Sequence, residues 1–220
     1  MRLTLFDLDH TLLDGDSDQL WCEFLMDRGV LPREPFETLN RDMARDYAAG
    51  AVSAQAFCDF YIGTLAGRSP DDWQALRRDY IDTRVVPRIG AAAQELVARH
   101  RDAGDLVLLT TATCRFLSEL TAVHLGISQL IATDCETGPD GRFTGRSLGI
   151  LNMREGKVQR LRDWLARQQL ELVELESTLY SDSINDLPLL SAVKRAVVVN
   201  PDERLAAEAA QRGWPVISLR

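Results

Sequence analysis

The chain has 220 residues, 45% of them hydrophobic and 26% charged, which is ordinary for a folded chain of one domain with an insertion, or of two small domains. Its net charge of −8 argues against nucleic acid and against an anionic membrane surface as partners, because both bind basic protein surfaces. The sequence shows no signal peptide, no apolar run that could span a bilayer, and four scattered cysteines without metal spacing, so we expect a cytoplasmic protein with reduced thiols.

Strands and helices are expected to alternate over most of the chain. The first strand is the apolar run of residues 3–6, and Pro139-Asp140-Gly141 has the composition of a turn, which predicts a hairpin over residues 135–146. Further strands are expected at 106–109, 130–132, 178–180, 196–199 and 216–217, and helices at 91–101, 116–125, 157–168 and 203–211. This alternation predicts an α/β fold, a doubly wound parallel sheet with a Rossmann-like core.

A helical stretch over residues 20–81 interrupts the alternation after the first strand. Ser69 is placed to cap one of its helices, directly before a proline at the first helical position. We interpret residues 14–86 as a helical cap inserted into a Rossmann-like catalytic core, which is formed by residues 1–13 and 87–220.

Two carboxylates follow the first predicted strand. The carboxyl ends of parallel strands meet at one edge of a sheet, where such folds bind ligands. Asp7 could attack phosphorus to form an acyl phosphate, while Asp9 could protonate the leaving alcohol and later activate water. A pair of this kind also occurs as a loop start or a weak metal site, and taken alone it is more often one of these.

Four further side chains could complete a phosphoryl-transfer site, which also needs a cation and donors for the phosphoryl oxygens. Thr111 and Lys157 could hold the phosphate, and Asp182 and Asp186 could complete an oxygen-rich magnesium site. Taken singly, Thr111 fits a helix cap, Lys157 fits a solvated surface lysine, and the acidic pair fits a turn before a helix.

Four motifs in a fixed order carry a resemblance to the haloacid dehalogenase superfamily. Residues 6–13, Phe-Asp-Leu-Asp-His-Thr-Leu-Leu, resemble its first motif, and residues 106–111 resemble its second, an apolar strand that ends in serine or threonine. Lys157 stands where the third motif has a lysine. Residues 181–186, Ser-Asp-Ser-Ile-Asn-Asp, resemble the fourth.

The resemblance implies a phosphatase mechanism and a role for each residue of the motifs. It makes Asp7 the nucleophile and Asp9 the acid and base, with Mg²⁺ bound by the Asp7 carboxylate, the Asp9 backbone carbonyl and Asp182. The other implied roles are phosphate contacts from Lys157 and from Thr111, for which the adjacent Thr110 is an alternative, and support of the site by Thr11, Asn185 and Asp186.

The helical insert resembles the cap of the phosphoserine-phosphatase-like branch, in which a glutamate binds the substrate amine and an arginine binds its carboxylate. Asp16 is the positional match for the glutamate, and Arg45 or Arg41 is the candidate arginine. From Asp14 to Val86 the sequence has 14 Asp and Glu against 8 Arg and no Lys, and this charge of −6 favours a positively charged substrate.

These features favour histidinol phosphate, which has an amine and an imidazole but no carboxylate, over phosphoserine, and they indicate a phosphatase of amino-acid biosynthesis. An alternative for the acidic insert is charge on solvated helix faces. An alternative function of another class is a phospho-accepting receiver domain, which also clusters Asp, Thr and Lys but has no long cap. We expect a small phosphate monoester as the partner, and the oligomeric state stays open.

Overall fold

The computed structural model describes residues 1–220, except for the side chain of Ala48. The described residues form one sheet, with strands β1 (Arg2–Phe6), β2 (Leu106–Cys114), β3 (Gln129–Thr137), β4 (Phe143–Leu148), β5 (Glu176–Ser181), β6 (Arg195–Val199) and β7 (Val216–Ile217). The strand order is β4-β3-β2-β1-β5-β6-β7. Neighbouring strands are parallel, apart from the antiparallel pair of β3 and β4.

Helices connect most of the strands. They are α1 (Ser17–Asp27), α2 (Arg33–Ala48), α3 (Ala54–Gly63), α4 (Pro70–Tyr80), α5 (Ala91–Asp102), α6 (Arg115–His124), α7 (Glu155–Arg167), α8 (Leu187–Ala192) and α9 (Glu203–Arg212). A π-helical turn (Ile81–Val85) and a 3₁₀ turn (Val86–Arg88) lead from α4 towards α5, and two more 3₁₀ turns lie at Leu172–Glu174 and Ile184–Asp186. Across the described residues, none of these helices combines the length and the apolar character that a membrane crossing requires.

Apolar side chains of β1 alternate between two cores, because successive residues of a strand point to opposite faces of the sheet. Leu3 and Leu5 pack in the core that contains Leu161 of α7 and Leu205 of α9, whereas Phe6 packs in the other. Helices therefore cover both faces of a mostly parallel sheet, and the predicted doubly wound α/β fold is confirmed.

Strand β2 is longer than the sequence predicted. It continues past Leu109 to Cys114, because β3 remains paired with it, although the register of the pair shifts between Thr111 and Cys114. The predicted hairpin is confirmed by the antiparallel β3 and β4, whose turn is closed by the Gly138 N–H donating to the Arg142 carbonyl (2.8 Å).

Helices α1 to α4 lie between β1 and α5, within the segment predicted to be a cap. Ser69 caps α4 as predicted: its Oγ accepts from the Asp72 N–H, and the Asp72 carboxylate accepts from the Ser69 N–H (2.9 Å). The aromatic residues Trp21, Trp73 and Tyr80 are buried in a core that these helices share with β1. The boundaries of core and cap stay a prediction.

The inserted helices are hydrogen-bonded to the hairpin as well as packed on the core. The Asp59 carboxylate on α3 accepts from both the N–H (3.0 Å) and the hydroxyl (3.1 Å) of Ser147 on β4. After α3, the Gly67 N–H donates to the Phe143 carbonyl at the start of β4 (2.9 Å). These contacts fix the end of the insert against β4.

Candidate active site

Asp7 directly follows β1, which lies in the sheet between β2 and β5. Its N–H donates to the carbonyl of Tyr180 in β5 (3.0 Å), so the pairing of the two strands continues to Asp7. The chain then turns sharply: His10 has a φ of 55°, and its N–H donates to the Gly15 carbonyl (3.0 Å). Asp7 and Asp9 are therefore held at the carboxyl edge of the sheet, where ligands of this fold class bind.

Lys157 joins carboxylates that come from the first and the fourth motif. Its Nζ lies 2.8 Å from Asp7 Oδ1 and 2.7 Å from Asp186 Oδ2, and the residue is only 3% exposed. The Ser181 hydroxyl donates to the same oxygen of Asp186 (2.7 Å). Burial lowers the pKa of Lys157, but the charges of Asp186 and Asp7 outweigh burial and raise it above its ordinary value. The ammonium is therefore a fixed positive charge beside Asp7.

Thr11 links two carboxylates at the same edge. Its Oγ1 lies 3.3 Å from Asp7 Oδ2 and 3.1 Å from Asp182 Oδ1, and it can donate to one of them at a time. The Asp182 N–H donates to the same hydroxyl (3.0 Å). The buried Thr11 hydroxyl therefore lies between the two carboxylates.

The carboxylates of this edge repel one another. Burial is the main cause that raises the pKa of Asp7 to about 6; Lys157 opposes this rise, and the charges of Asp186 and Asp9 add to it. Burial, followed by the charges of Asp7 and Asp186, raises the pKa of Asp182 to about 9. A cation among these carboxyl groups would favour their ionised forms and lower their pKa values.

The oxygen donors at this edge fit magnesium. Mg²⁺ keeps several of its waters and needs only one or two carboxylates from the protein, which Asp7 and Asp182 provide on either side of Thr11. Within the described residues, no group of three or more His, Cys, Asp or Glu side chains is spaced to hold a metal, and magnesium does not require one. The Asp9 carbonyl would be the implied third protein ligand.

Asp9 is held by two donors. Its Oδ1 accepts from the Ser17 N–H at the start of α1 (2.8 Å), and its Oδ2 accepts from the Thr113 hydroxyl at the end of β2 (2.7 Å). Burial, followed by the charge of Asp16, raises the pKa of Asp9 to about 6, although the hydrogen bonds from Ser17 and Thr113 oppose this rise. Asp9 therefore has a fixed orientation and a pKa near that of a general acid and base working at neutral pH.

A cavity of about 1040 Å³ opens between the sheet edge and the inserted helices. Seven residues predicted for the site line it together: Asp7, Asp9, Asp16, Lys157, Asp182, Asn185 and Asp186. Asp16 also has a structural role, since its Oδ1 accepts from the Gln19 N–H and caps α1 (2.9 Å).

Thr111 and Arg45 are not brought to this cavity. Thr111 is completely buried, and its Oγ1 accepts from the Thr113 N–H (3.2 Å). Thr110 is also buried, with its hydroxyl accepting from Asn152 (3.0 Å). Arg45 has a side chain that is 64% exposed and paired with the acidic side chains of Asp42 and Asp46. The neighbouring candidate Arg41 is exposed as well. A phosphate contact from Thr111 and a substrate contact from Arg45 therefore find no support in where these side chains lie.

Thr113, Asp18 and Arg154 are among the cavity residues that were given no role in the sequence-based assignment of the site. Thr113 belongs to the extended end of β2, where only the run of threonines could have pointed to it. Asp18 is 8% exposed and lines the cavity. Arg154 precedes α7 with a φ of 50°, its guanidinium lies 5.5 Å from the centre of the Tyr47 ring, and its buried Nε has no partner among the described residues.

The family model for haloacid dehalogenase-like hydrolases matches residues 4–191, which is most of the chain. The chain belongs to the haloacid dehalogenase-like hydrolase family. This membership confirms the predicted superfamily and the prediction of an enzyme, and it favours a hydrolase over the receiver-domain alternative.

Relatives of this hydrolase are named as phosphatases. A histidinol-phosphatase of Neisseria meningitidis serogroup C is 38% identical over 220 residues, covering 100% of this chain and 99% of the relative. A phosphoserine phosphatase of Mycobacterium tuberculosis is 36% identical over 225 residues, covering 98% of this chain and 70% of the relative.

Solved structures are similar over the whole hydrolase fold. A protein of unknown function from Bordetella pertussis Tohama I has 43% sequence identity and a TM-score of 0.94, with 100% of this chain and 99% of that chain covered. A substrate-bound phosphoserine phosphatase has 15% identity and a TM-score of 0.70, with 98% and 92% covered. At 15% identity, the similarity to the phosphoserine phosphatase shows only that the two chains share a fold.

Proposed function

We propose that this hydrolase cleaves phosphate monoesters of small metabolites in the presence of Mg²⁺, through a phospho-aspartyl intermediate on Asp7. The observation that carries the proposal is the contact of the buried Lys157 with Asp7 at 2.8 Å. A carboxylate beside a fixed ammonium, with a second carboxylate joined to it through Thr11, can receive a phosphoryl group and share its negative charge with a cation.

In the first half of the reaction, a carboxylate oxygen of Asp7 bonds to phosphorus while the bond from phosphorus to the ester oxygen breaks. Asp9 gives its proton to that oxygen, which leaves as an alcohol. Lys157 neutralises part of the phosphoryl charge, and a bound Mg²⁺ would supply the remaining charge and orient the phosphoryl oxygens. The products of this half are the phospho-aspartate and the free alcohol.

In the second half, Asp9 is ionised and takes a proton from water. The oxygen of that water bonds to phosphorus, the bond between Asp7 and phosphorus breaks, and inorganic phosphate is released. Both aspartates return to their starting states. The pKa of about 6 for Asp9 suits a group that must both give and take a proton near neutral pH.

Histidinol phosphate is the substrate that we favour, which would place the enzyme in amino-acid biosynthesis. The histidinol-phosphatase relative supports this choice, because it is 38% identical over the full length of both chains. Asp16 and Asp18 support it as well, since both line the cavity and would attract the nitrogen groups of a positively charged substrate.

Phosphoserine is the second candidate, and Arg154 is the observation that favours it. Arg154 lines the cavity, its guanidinium lies over the Tyr47 ring, and it could pair with the carboxylate of phosphoserine. Histidinol phosphate has no carboxylate for it to bind. If Arg154 binds the carboxylate of phosphoserine, Arg154→Gln should lower kcat/KM for phosphoserine. If the enzyme is a histidinol phosphatase and Arg154 binds the phosphate, the same substitution should lower activity on every phosphate ester.

The proposal is tested by measuring phosphate release from a panel of metabolite phosphates, with Mg²⁺ and after treatment with EDTA. We expect Mg²⁺-dependent release, with the highest kcat/KM for histidinol phosphate. A kcat/KM that is highest for phosphoserine would replace the favoured substrate with the second candidate. Absence of release from every phosphate ester in Mg²⁺ would contradict the phosphatase function itself.

A further inference from the structure

Asp18 is an acidic cavity residue that the proposed chemistry does not use. It is the second residue of α1, it is 8% exposed, and it lines the same cavity as Asp7. Among the described residues, no hydrogen bond or ion pair reaches its carboxyl group. Buried polar groups nearly always have a partner, and buried carboxylates are rare without one. The carboxyl oxygens of Asp18 remain accessible from the cavity that this residue lines, and a ligand group in the cavity can supply the partner that the protein does not.

The surroundings of Asp18 show which charge the ligand group should carry. Burial is the main cause that raises the pKa of Asp18 well above its ordinary value, and the nearby carboxylates of Asp16 and Asp9 add to this rise, whereas the buried Cys114 is a neutral thiol near neutral pH. Nearby, the buried hydroxyl of Tyr61 also has no hydrogen-bond partner among the described residues. A positively charged group would relieve the repulsion between these acidic side chains, whereas an anionic group would increase it.

The surroundings of Asp7 and of Asp18 differ in charge. The buried ammonium of Lys157 lies on the side of Asp7 and Asp186. Near α1, the carboxylates of Asp9, Asp16 and Asp18 form no ion pair with any of the described residues. A phosphate ester with a positively charged alcohol portion matches this arrangement, with its phosphate beside Lys157 and its cationic portion beside α1.

We propose that Asp18 is a specificity-determining residue, which binds a second, ring-borne nitrogen group of the substrate beyond the ammonium bound by Asp16. This inference rests on the proposed function. Asp16 is half-buried and uses one oxygen to cap α1, whereas Asp18 is almost fully buried and has both oxygens free among the described residues. The imidazole, which is flatter and less strongly hydrated than the ammonium, is therefore expected at Asp18. Histidinol phosphate has both groups.

A series of three phosphate esters separates the two carboxylates. Phosphoethanolamine has an ammonium alone, histidinol phosphate adds an imidazole, and phosphoserine adds a carboxylate instead. Asp18→Asn should lower the ratio of kcat/KM for histidinol phosphate to that for phosphoethanolamine by about 10- to 150-fold, mainly through KM, because a charge-assisted hydrogen bond is lost. The same substitution should raise kcat/KM for phosphoserine, because a charge that repels its carboxylate is removed. Asp16→Asn should lower kcat/KM for both amines and keep their ratio near that of the wild type.

The matched control is Asp14→Asn, in the loop before α1. The exposed carboxylate of Asp14 pairs with Arg220 (3.0 Å) outside this cavity, so the substitution should leave kcat/KM unchanged for all three esters. Asp18→Ala removes the carboxyl group in a second way and must change the ratio in the same direction. An unchanged ratio in both Asp18 variants, or equal losses on both amines, would overturn the role of Asp18 alone. A wild-type enzyme that is inactive on histidinol phosphate but active on the other esters would instead overturn the proposed substrate, and this inference with it.

Discussion

The hydroxyl of Thr113 lies 2.7 Å from Asp9 Oδ2 and donates to it. Thr113 therefore joins the end of β2 to the residue proposed as the acid and base. Its hydroxyl is also 2.8 Å from the Ser17 hydroxyl, so β2, the first loop and the start of α1 meet at one carboxylate.

Thr113→Val should lower kcat more than it raises KM, because the substitution keeps the shape of the side chain but removes a donor that orients Asp9. A lost hydrogen bond of about 1–3 kcal/mol corresponds to a fall of about 5- to 150-fold. Steady-state kinetics with an alkyl phosphate would measure it. Thr83→Val is the control, since that hydroxyl is exposed and donates only to the Asp79 carbonyl. Equal kcat values for wild type and Thr113→Val would argue against this positioning role.

Asp9→Asn should lose most of its activity on alkyl phosphates and less on aryl phosphates, because a poor leaving group depends more strongly on the acid. The comparison uses kcat for p-nitrophenyl phosphate and for an alkyl monoester, each at saturating Mg²⁺. Losses of equal size on the two esters would contradict the acid role of Asp9. Its role would then be structural or metal-binding only.

Mg²⁺ should be required, and EDTA should abolish activity, because Asp7 and Asp182 provide oxygen donors around Thr11. Ca²⁺ should restore little activity, since its larger and looser coordination does not maintain octahedral geometry. Asp182→Asn should raise the Mg²⁺ concentration needed for half-maximal activity, which a metal titration would measure. Full activity of metal-free enzyme would refute the magnesium site.

Asp16→Asn should raise KM for histidinol phosphate by about 10- to 150-fold, because a charge-assisted contact with the ammonium is lost. Asparagine is also a good N-cap, so α1 should keep its start at this residue and the unfolding temperature should change little. Kinetics and thermal unfolding of the same sample separate recognition from stability. A KM equal to that of the wild type would mean that Asp16 is a helix cap and no more.

The stability of the core should depend on pH through Asp105. Its carboxylate accepts from Thr4 (3.0 Å) and contacts His100 Nδ1 (2.7 Å). Burial raises the pKa of Asp105, but the hydrogen bonds from His100 and Thr4 and the charge of Arg2 together lower it below its ordinary value of 3.8. Because the pKa is lower in the folded state, the stabilisation is present above pH 3.8 and is lost as the pH falls through the folded-state pKa.

Asp105→Asn should therefore reduce the free energy of unfolding by about 1–3 kcal/mol at neutral pH, and by less at about pH 3. Urea unfolding at the two pH values would measure the difference. Asp102→Asn, at the end of α5 with an exposed carboxylate, is the control and should have little effect at either pH. A loss of the same size at both pH values would contradict the assignment to the ionised carboxylate.

Local patterns were enough to predict the sheet and the acidic centre of the site. Asp7, Asp9 and Asp182 each follow an apolar run that forms a strand, and parallel strands bring their carboxyl ends together. Lys157 required the resemblance in addition, since only the fold shows that its ammonium crosses from α7 to reach Asp7. The motif order therefore predicted contacts between residues far apart in the chain.

Residues whose position depends on packing were harder to assign. β2 continues beyond Thr111 because β3 pairs with it, so the hydroxyl that reaches Asp9 is that of Thr113. Arg45 lies on an amphipathic helix, and periodicity does not show which face meets the cavity; Asp42 and Asp46 hold its guanidinium outside. Arg154 reaches the cavity through a backbone conformation with positive φ, which the residue type does not indicate.

The central claim is that Asp7 carries the phosphoryl group during turnover. The most direct test is to quench the enzyme with acid while it hydrolyses histidinol phosphate or p-nitrophenyl phosphate in Mg²⁺, and to search its peptides by mass spectrometry. We expect one phosphoryl group on Asp7 in the wild-type enzyme, and neither this modification nor turnover in Asp7→Asn. Turnover of Asp7→Asn at a rate near that of the wild type, or a phosphoryl group found on another residue, would contradict the covalent mechanism.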